Sequence, residues 1–272
     1  MTISFNMIGH HGRLANQMFQ YATLKGIASK HGYDYTLPPS EFNDPYHDHQ
    51  LLEAFELASL PRENIRINET GKRLDEGHFH FNSGLYKNCP DNVDIFGYFQ
   101  TEKYFKEFEK EVKSDFTFKE SILTPAKEYR EQVGSDEVIS LHIRRGDYVK
   151  QPWHPCQTLE YYEKALSQIP LVYDSCTIPV IIFSDDPDWV LEQNIFESDR
   201  FYVSKGNSNV FDMCLMTLCQ YHIIANSSFS WWGAWLSTSS EKQVIAPMKW
   251  FGPPLDAQHN TKDLYCEGWM KL

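Results

Sequence analysis

Hydrophobic and polar positions follow two alternating periods along this chain. Ile3, Phe5 and Met7 fall on every second residue and predict a first strand over 3–9. Leu14, Met18, Tyr21, Ala22, Leu24 and Ala28 recur near every 3.6 residues and predict a helix over 13–28. A short strand over 33–37 follows, stopped by Pro38 and Pro39. Strand, loop, helix and strand in that order open a doubly wound α/β domain. Residues 40–100 are polar, rich in His and Asn and broken by turns, and carry no recognisable chemistry. An aromatic strand over 96–99 and a helix of mixed charge over 102–113 come next. The stretch 117–136, with Pro125 among charged residues, reads as a connector. Beyond it, strands are predicted over 138–143, 180–183, 201–203, 222–225 and 244–246. Helices are predicted between them, over 161–169, 187–193, 209–220 and 229–236. Two α/β halves joined near 120–135 predict paired Rossmann-like domains, whose ligands bind beyond the carboxyl ends of the strands.

Composition and charge narrow the function classes. The 272 residues are 42% apolar and 23% charged, which excludes a disordered, collagen-like or coiled-coil chain. Lys and Arg number 25 against 37 Asp and Glu, a net charge of −12. Such a chain lacks the basic footprint of a nucleic-acid binder, so any phosphate it holds must meet a local cluster of positive charge. There is no apolar run near the roughly 20 residues needed to cross a bilayer. The start of the chain does not read as a signal peptide, so the expectation is a cytoplasmic protein with at most peripheral membrane association. Cys89, Cys156, Cys176, Cys214, Cys219 and Cys266 form no CxxC and show no zinc spacing, and are expected as reduced thiols.

Four strand-end loops carry the candidate chemistry. In the first, Gly12-Arg13-Leu14-Ala15-Asn16-Gln17 opens a helix. Its glycine permits close backbone approach, its amides favour an anion, and Arg13 and Asn16 can bond phosphate or sugar; a plain turn and helix start would look the same. The second, His142-Ile143-Arg144-Arg145-Gly146-Asp147-Tyr148, ends a buried strand. Side-chain period 2 sends its two arginines to opposite faces, so one can aim into a cleft while the other pairs with a carboxylate such as Asp147. An arginine in the cleft is a bidentate donor for a diphosphate, and a surface Arg–Asp ion pair is the alternative.

The third, Ser184-Asp185-Asp186-Pro187, offers carboxylates for ribose hydroxyls or a metal, and equally a helix cap. No further ligand at a recognisable spacing supports a metal. The fourth runs from Asn226, Ser227, Ser228 and Phe229 through Ser230-Trp231-Trp232-Gly233-Ala234-Trp235. Its hydroxyls and helix amides suit an anion or an N-cap, and its tryptophans suit packing more than sugar stacking. Asp212, at the start of an apolar helix, either complements the helix dipole or accepts paired donors such as N1–H and the 2-amino group of guanine.

Taken together, GRLANQMFQYA, HIRRGDYV, FSDDPDWV and NSSFSWWGAWL resemble the α-1,2-fucosyltransferases of glycosyltransferase family 11 in their soluble bacterial form. The resemblance runs from Gly12 to about Leu236; Ala15 stands where the family often has glycine. It implies an α/β GT-B fold with two Rossmann-like domains facing a cleft. Residues 1–133 would form the acceptor side and 134–272 the domain binding GDP-fucose, with the last residues packing back on the first domain. It also implies inverting transfer of L-fucose to the 2-hydroxyl of a terminal galactose of a β-galactoside glycan, with no metal and no cofactor.

By the same resemblance Arg144 contacts the donor diphosphate, His142 and Asp212 hold guanine, and Ser228 holds phosphate. Arg13 and Asn16 face the phosphate and the reaction centre, with Gly12, Asn226, Ser227 and Phe229 around the donor. Asp186 is a further donor contact, and Arg145 is structural. Candidates for a base are Asp147 and His154, with His10 and His11 beside the first loop. Other readings of the same loops are a fucosyltransferase of another linkage or of a protein acceptor, a non-catalytic GDP-sugar binder, and a plain sugar-binding protein.

Overall fold

A computed structural model describes residues 1–39, 49–69, 71–169 and 178–272, which fall into two compact units. The first unit comprises Met1–Lys119 with His259–Cys266. Its sheet is wholly parallel: β1 (Thr2–Ser4), β2 (Asp34–Thr36), β3 (Lys72–Asp75) and β4 (Val93–Phe96), in the order β2-β1-β4-β3. The helix Leu14–His31 follows β1 and is buried on every face as far as Ala28, which explains why Gln17, Gln20, Thr23 and Lys25 lie inside it. It ends on Gly32, whose φ of 68° is the left-handed C-cap that glycine adopts without a steric penalty. Gly26 lies so close to Tyr104 that an added Cβ would sit 2.1 Å from that residue's carbonyl oxygen. His259–Cys266 is tied in by Asp263, which pairs with Lys103 at 2.5 Å and accepts the Phe81 amide at 3.1 Å.

The second unit, Glu120–Gln258 with Glu267–Leu272, holds a six-stranded parallel sheet. Its strands are β5 (Ile139–Ile143), β6 (Val180–Ser184), β7 (Phe201–Ser204), β8 (Tyr221–Ile223), β9 (Gln243–Ala246) and β10 (Met270–Lys271). The order β10-β9-β8-β5-β6-β7 is that of the doubly wound Rossmann sheet. β5 and the Val180–Phe183 stretch of β6 are buried, as parallel strands covered on two faces must be. Tyr161 and Tyr162 close the core from the helix Leu159–Ser167, donating to the carbonyls of Ile224 (2.7 Å) and His142 (3.1 Å). The chain order reverses between β5 and β8, and that switch point is where such sheets bind ligands.

Several elements differ from the sequence reading. The first ladder covers only Thr2–Ser4; residues 5–10 turn, with Ile8 and His10 donating to the carbonyls of Phe5 and Met7. The expected helix over 102–113 is two 3₁₀ turns followed by the helix Glu109–Asp115. The stretch read as a connector is the helix Glu120–Gln132, and the units part at Lys119 rather than after 133. Arg130 binds that helix to the second unit, donating to the carbonyls of Leu218, Ser135 and Asp136. Trp231 and Trp232 are core residues, edge to face at 5.0 Å, so packing rather than sugar stacking accounts for them. Cys89, Cys156, Cys214 and Cys219 are thiols, and Cys176 lies outside the described residues. Among the described residues no helix is long and apolar enough to cross a membrane.

Candidate active site

The switch point of the second unit gathers most of the predicted residues. Strand alternation puts His142 and Arg144 on one face of β5 and its extension, and Arg145 on the other. His142 is buried, with Nδ1 2.8 Å from the Ser230 hydroxyl and its ring 5.4 Å from that of Phe229. Burial, with the nearby Arg144 charge, pushes its pKa down to about 3, so the imidazole is neutral and offers one donor and one acceptor.

Arg144 is half-buried, its side chain 21% exposed, and both of its terminal nitrogens meet carboxylates. Nη2 lies 2.5 Å from Asp147 and Nη1 lies 2.9 Å from Asp185. Its Nε–H is buried and has no hydrogen-bond partner among the described residues. Arg145 donates through Nε to Asp186 at 3.0 Å and lies 3.7 Å over the Trp189 ring. Arg145 thus pairs with a carboxylate as expected, but with Asp186 rather than Asp147, which takes Arg144 together with Asp185. Asp185, one of the two carboxylates of the third loop, also accepts the Arg145 amide at 2.8 Å. A Cβ on Gly146 would sit 2.3 Å from its Oδ2, which is why glycine occupies this position. Asp186 makes no side-chain helix cap, and Arg145 is the partner the structure gives it.

At the end of β8, Ser227 caps the helix Ser228–Leu236 by accepting the Phe229 amide at 3.4 Å. Ser228 and Phe229 are half-buried on the first turn of that helix, where the amides favour an anion. Asn226 is buried at the start of this loop. Its amide donates to the carbonyls of Pro155 and Trp250, both at 3.0 Å, and its oxygen accepts from Gln157 at 3.0 Å, so it ties three loops together.

Asp212 lies on the first turn of the helix Asn209–Thr217, where its Oδ1 accepts from Ser204 Oγ at 2.6 Å. Burial, partly offset by that bond, raises its pKa to about 6. That helix packs against Ser228–Leu236 so closely that a Cβ on Gly233 would lie 2.8 Å from Met216 Sδ. Asp212 and Phe229 each stand one turn before these contacts. His154 stacks on Tyr148, 5.0 Å between centroids; burial lowers its pKa, with Asp147 opposing and Arg144 adding.

In the first unit, Gly12, Arg13 and Asn16 meet at the carboxyl end of β1, next to β4, where that sheet also reverses. Gly12 has φ of 85°, and a Cβ there would sit 2.2 Å from Asn16 Nδ2. Arg13 is exposed, and among the described residues no carboxylate lies in ion-pairing distance of it. Asn16 Oδ1 accepts from Gln100 Nε2 at 2.8 Å. Gln20 Nε2 donates to the carbonyls of His11 (3.1 Å) and Gly97 (3.2 Å), and Gln17 Nε2 donates to that of Gly12. His11 packs edge-on against Phe96, and burial lowers its pKa, helped by the charges of His10 and Arg73.

Gln17, Gln20 and Gln100 were not singled out in the sequence. For Gln17 and Gln20 the available signal was two glutamines among the apolar residues of the first turns of a helix.

The whole chain, residues 2–272, matches the profile of glycosyl transferase family 11. An α-1,2-colitosyltransferase from Escherichia coli is 32% identical over 287 residues, covering 96% of this chain and 96% of that one. A galactoside 2-α-L-fucosyltransferase, Sec1, from Mus musculus is 27% identical over 96% of this chain and 72% of its own. Among solved structures, the fucosyltransferase NodZ from Bradyrhizobium superposes with a TM-score of 0.57 at 14% identity, over 85% of this chain and 92% of that one; NodZ soaked with GDP-fucose also matches. The fold is thus α/β of the GT-B type, built from two Rossmann-like units. The chain is a glycosyltransferase and belongs to glycosyl transferase family 11.

Proposed function

We propose that this glycosyltransferase moves L-fucose from GDP-fucose to the 2-hydroxyl of a terminal galactose in a β-galactoside glycan, with inversion at the fucose C1. The observation that carries the reading is Arg144, half-buried at the switch point of the second sheet near neutral His142, with a buried Nε–H that has no partner among the described residues. The galactoside 2-α-L-fucosyltransferases among the relatives support the linkage, and the α-1,6-fucosyltransferase NodZ, soaked with GDP-fucose, supports the donor.

The bond between C1 and the β-phosphate oxygen breaks as the acceptor oxygen adds to C1 from the opposite side. The acceptor proton passes to a weak base, and the electron pair leaves with GDP. Negative charge grows on the departing phosphate, and the Arg144 guanidinium opposes it in the role a metal fills in other transferases. Ser228 and the amides of its helix face the phosphate; Arg13 and Asn16 are further donors to the reacting groups. His142 and Asp212 hold guanine, Asp212 accepting N1–H and the 2-amino group. No cofactor enters this scheme. The sugar of the colitosyltransferase relative supports a second reading, in which colitose replaces fucose. Incubating the protein with GDP-fucose or GDP-colitose and lactose, and separating the products, decides between them; no transfer from either donor refutes both.

The scheme makes Asp147 a counter-ion that competes with the diphosphate for Arg144. Asp147→Asn should therefore tighten GDP binding by about two- to five-fold, the worth of an exposed ion pair, with turnover kept. Loss of turnover at unchanged GDP affinity, read by calorimetry and assay, would make Asp147 the base instead.

Asp212 gives donor binding a pH dependence. Its pKa of about 6 means that the carboxylate is ionised above that pH and protonated below it. Only the ionised form accepts both guanine donors, so GDP-fucose affinity should fall as pH drops below 6, approaching about tenfold per unit. The donor's diphosphate diester keeps its charge throughout this range. Calorimetric titration from pH 5 to 8 checks this, with Asp212→Asn as the flat control; a flat profile for the unmodified protein would contradict the assignment.

A further inference from the structure

The first sheet carries a buried carboxylate that none of the roles above uses. Glu76 follows β3 and is 7% exposed. Its Oε2 accepts the amides of Tyr98 and Phe99, both at 3.0 Å, while its Oε1 is buried with no hydrogen-bond partner among the described residues. The turn it grips is unusual on three counts. Phe99 holds φ of 54°, a left-handed conformation that is sterically unfavourable for a bulky side chain. Gly97 cannot carry a Cβ, which would lie 2.6 Å from the Glu76 Cβ. Gly97 and Gln100 both reach the first loop: Gln20 bridges the Gly97 carbonyl to that of His11, and Gln100 Nε2 binds Asn16 Oδ1 at 2.8 Å. With its oxygen thus engaged, the Asn16 amide nitrogen fills the space of a Gly12 side chain: a Cβ there would lie 2.2 Å from it.

We propose that Glu76 is a positioning residue for Asn16: its carboxylate clamps the 97–100 turn, and the turn orients the Asn16 amide for transfer. The inference rests on the role given to Asn16 above. Burial keeps the clamp dry, so each amide it accepts has no water to replace the lost bond. Removing it frees Phe99 to relax toward ordinary φ and carries Gln100 with it. A shift of about 1 Å at a reacting group costs on the order of 10²-fold in rate.

The test is a double-mutant cycle read on full-length protein. Glu76→Ala should lower kcat by roughly 10–100-fold, leaving the donor KM and the thermal stabilisation by GDP as in the unmodified protein. Glu76→Gln, which keeps an acceptor oxygen for both amides, should retain most of kcat. In an Asn16→Ala background, adding Glu76→Ala should cost less than about two-fold more, because residues acting through one another are not additive. Unchanged kcat in folded Glu76→Ala, or losses that multiply across the cycle, would overturn the proposal. Should Glu76→Ala not fold, Glu76→Asp replaces it: its shorter side chain should lose more kcat than Glu76→Gln, and the reverse order overturns the clamp. Asn16→Ala with full kcat would instead refute the role of Asn16, and so remove the proposal's basis before Glu76 is changed.

Discussion

Arg144→Ala is expected to lower sugar transfer by roughly 10²–10³-fold, the loss seen when one fixed donor to a developing oxyanion is removed. The fold should survive, because the change leaves no buried charge alone. Asp147 is half exposed, and Asp185 keeps the Arg145 amide at 2.8 Å. The loss should fall on kcat more than on donor KM, since the phosphate gains charge only as the C1–O bond breaks. Arg144→Lys should also be poor: a single ammonium cannot reproduce a planar fork that meets Asp147 and Asp185 through separate nitrogens. Steady-state kinetics on protein with an unchanged melting temperature checks this. Near-normal turnover would remove Arg144 from the chemistry.

Lys25→Met is expected to destabilise the first unit by about 3–5 kcal/mol, the cost of leaving one member of a buried pair unpaired. Lys25 and Asp115 meet at 2.6 Å with side chains 5% and 1% exposed. Asp115 also accepts from Tyr21 Oη (2.6 Å) and from the amide and hydroxyl of Ser59. Burial alone would raise the Asp115 pKa, but the bonds from Lys25, Ser59 and Tyr21 outweigh it and hold it below the ordinary value. An acid whose folded pKa is depressed stabilises the fold above its unfolded value and loses that contribution as pH falls through the folded one. The variant should therefore melt lower, on the order of 10 °C, and lose less on acidification than the parent. Thermal melts at pH 7 and pH 4 give both quantities; an unchanged melting temperature at pH 7 would show that the pair contributes nothing net.

The second unit was the more legible half. β6 opens with the apolar run Val180–Phe183, closed by Asp-Pro, and β5 sets Ile139, Leu141 and Ile143 around Ser140 and His142, all of them buried as a parallel strand covered on two faces requires. β3, with the sequence Lys-Arg-Leu-Asp, and the two-residue β10 escaped notice because edge strands need little apolar surface. Strand parity alone separated Arg144 from Arg145, and Asp147 was within reach as a neighbour in sequence. The other partners were not, because polar contacts that join residues far apart in sequence leave no periodicity. Asp185 meets Arg144 from the next strand, and Gln100 meets Asn16 from 84 residues away. Asn226 was singled out as a polar residue in a promising loop, and its ties to Pro155, Trp250 and Gln157 likewise left no mark in the sequence.

The most direct measurement is the nuclear magnetic resonance spectrum of the product formed from GDP-fucose and lactose. A correlation from the fucose anomeric proton, in the α configuration, to C2 of galactose is the predicted result. A correlation to any other carbon, or GDP-fucose bound and left intact, would contradict it.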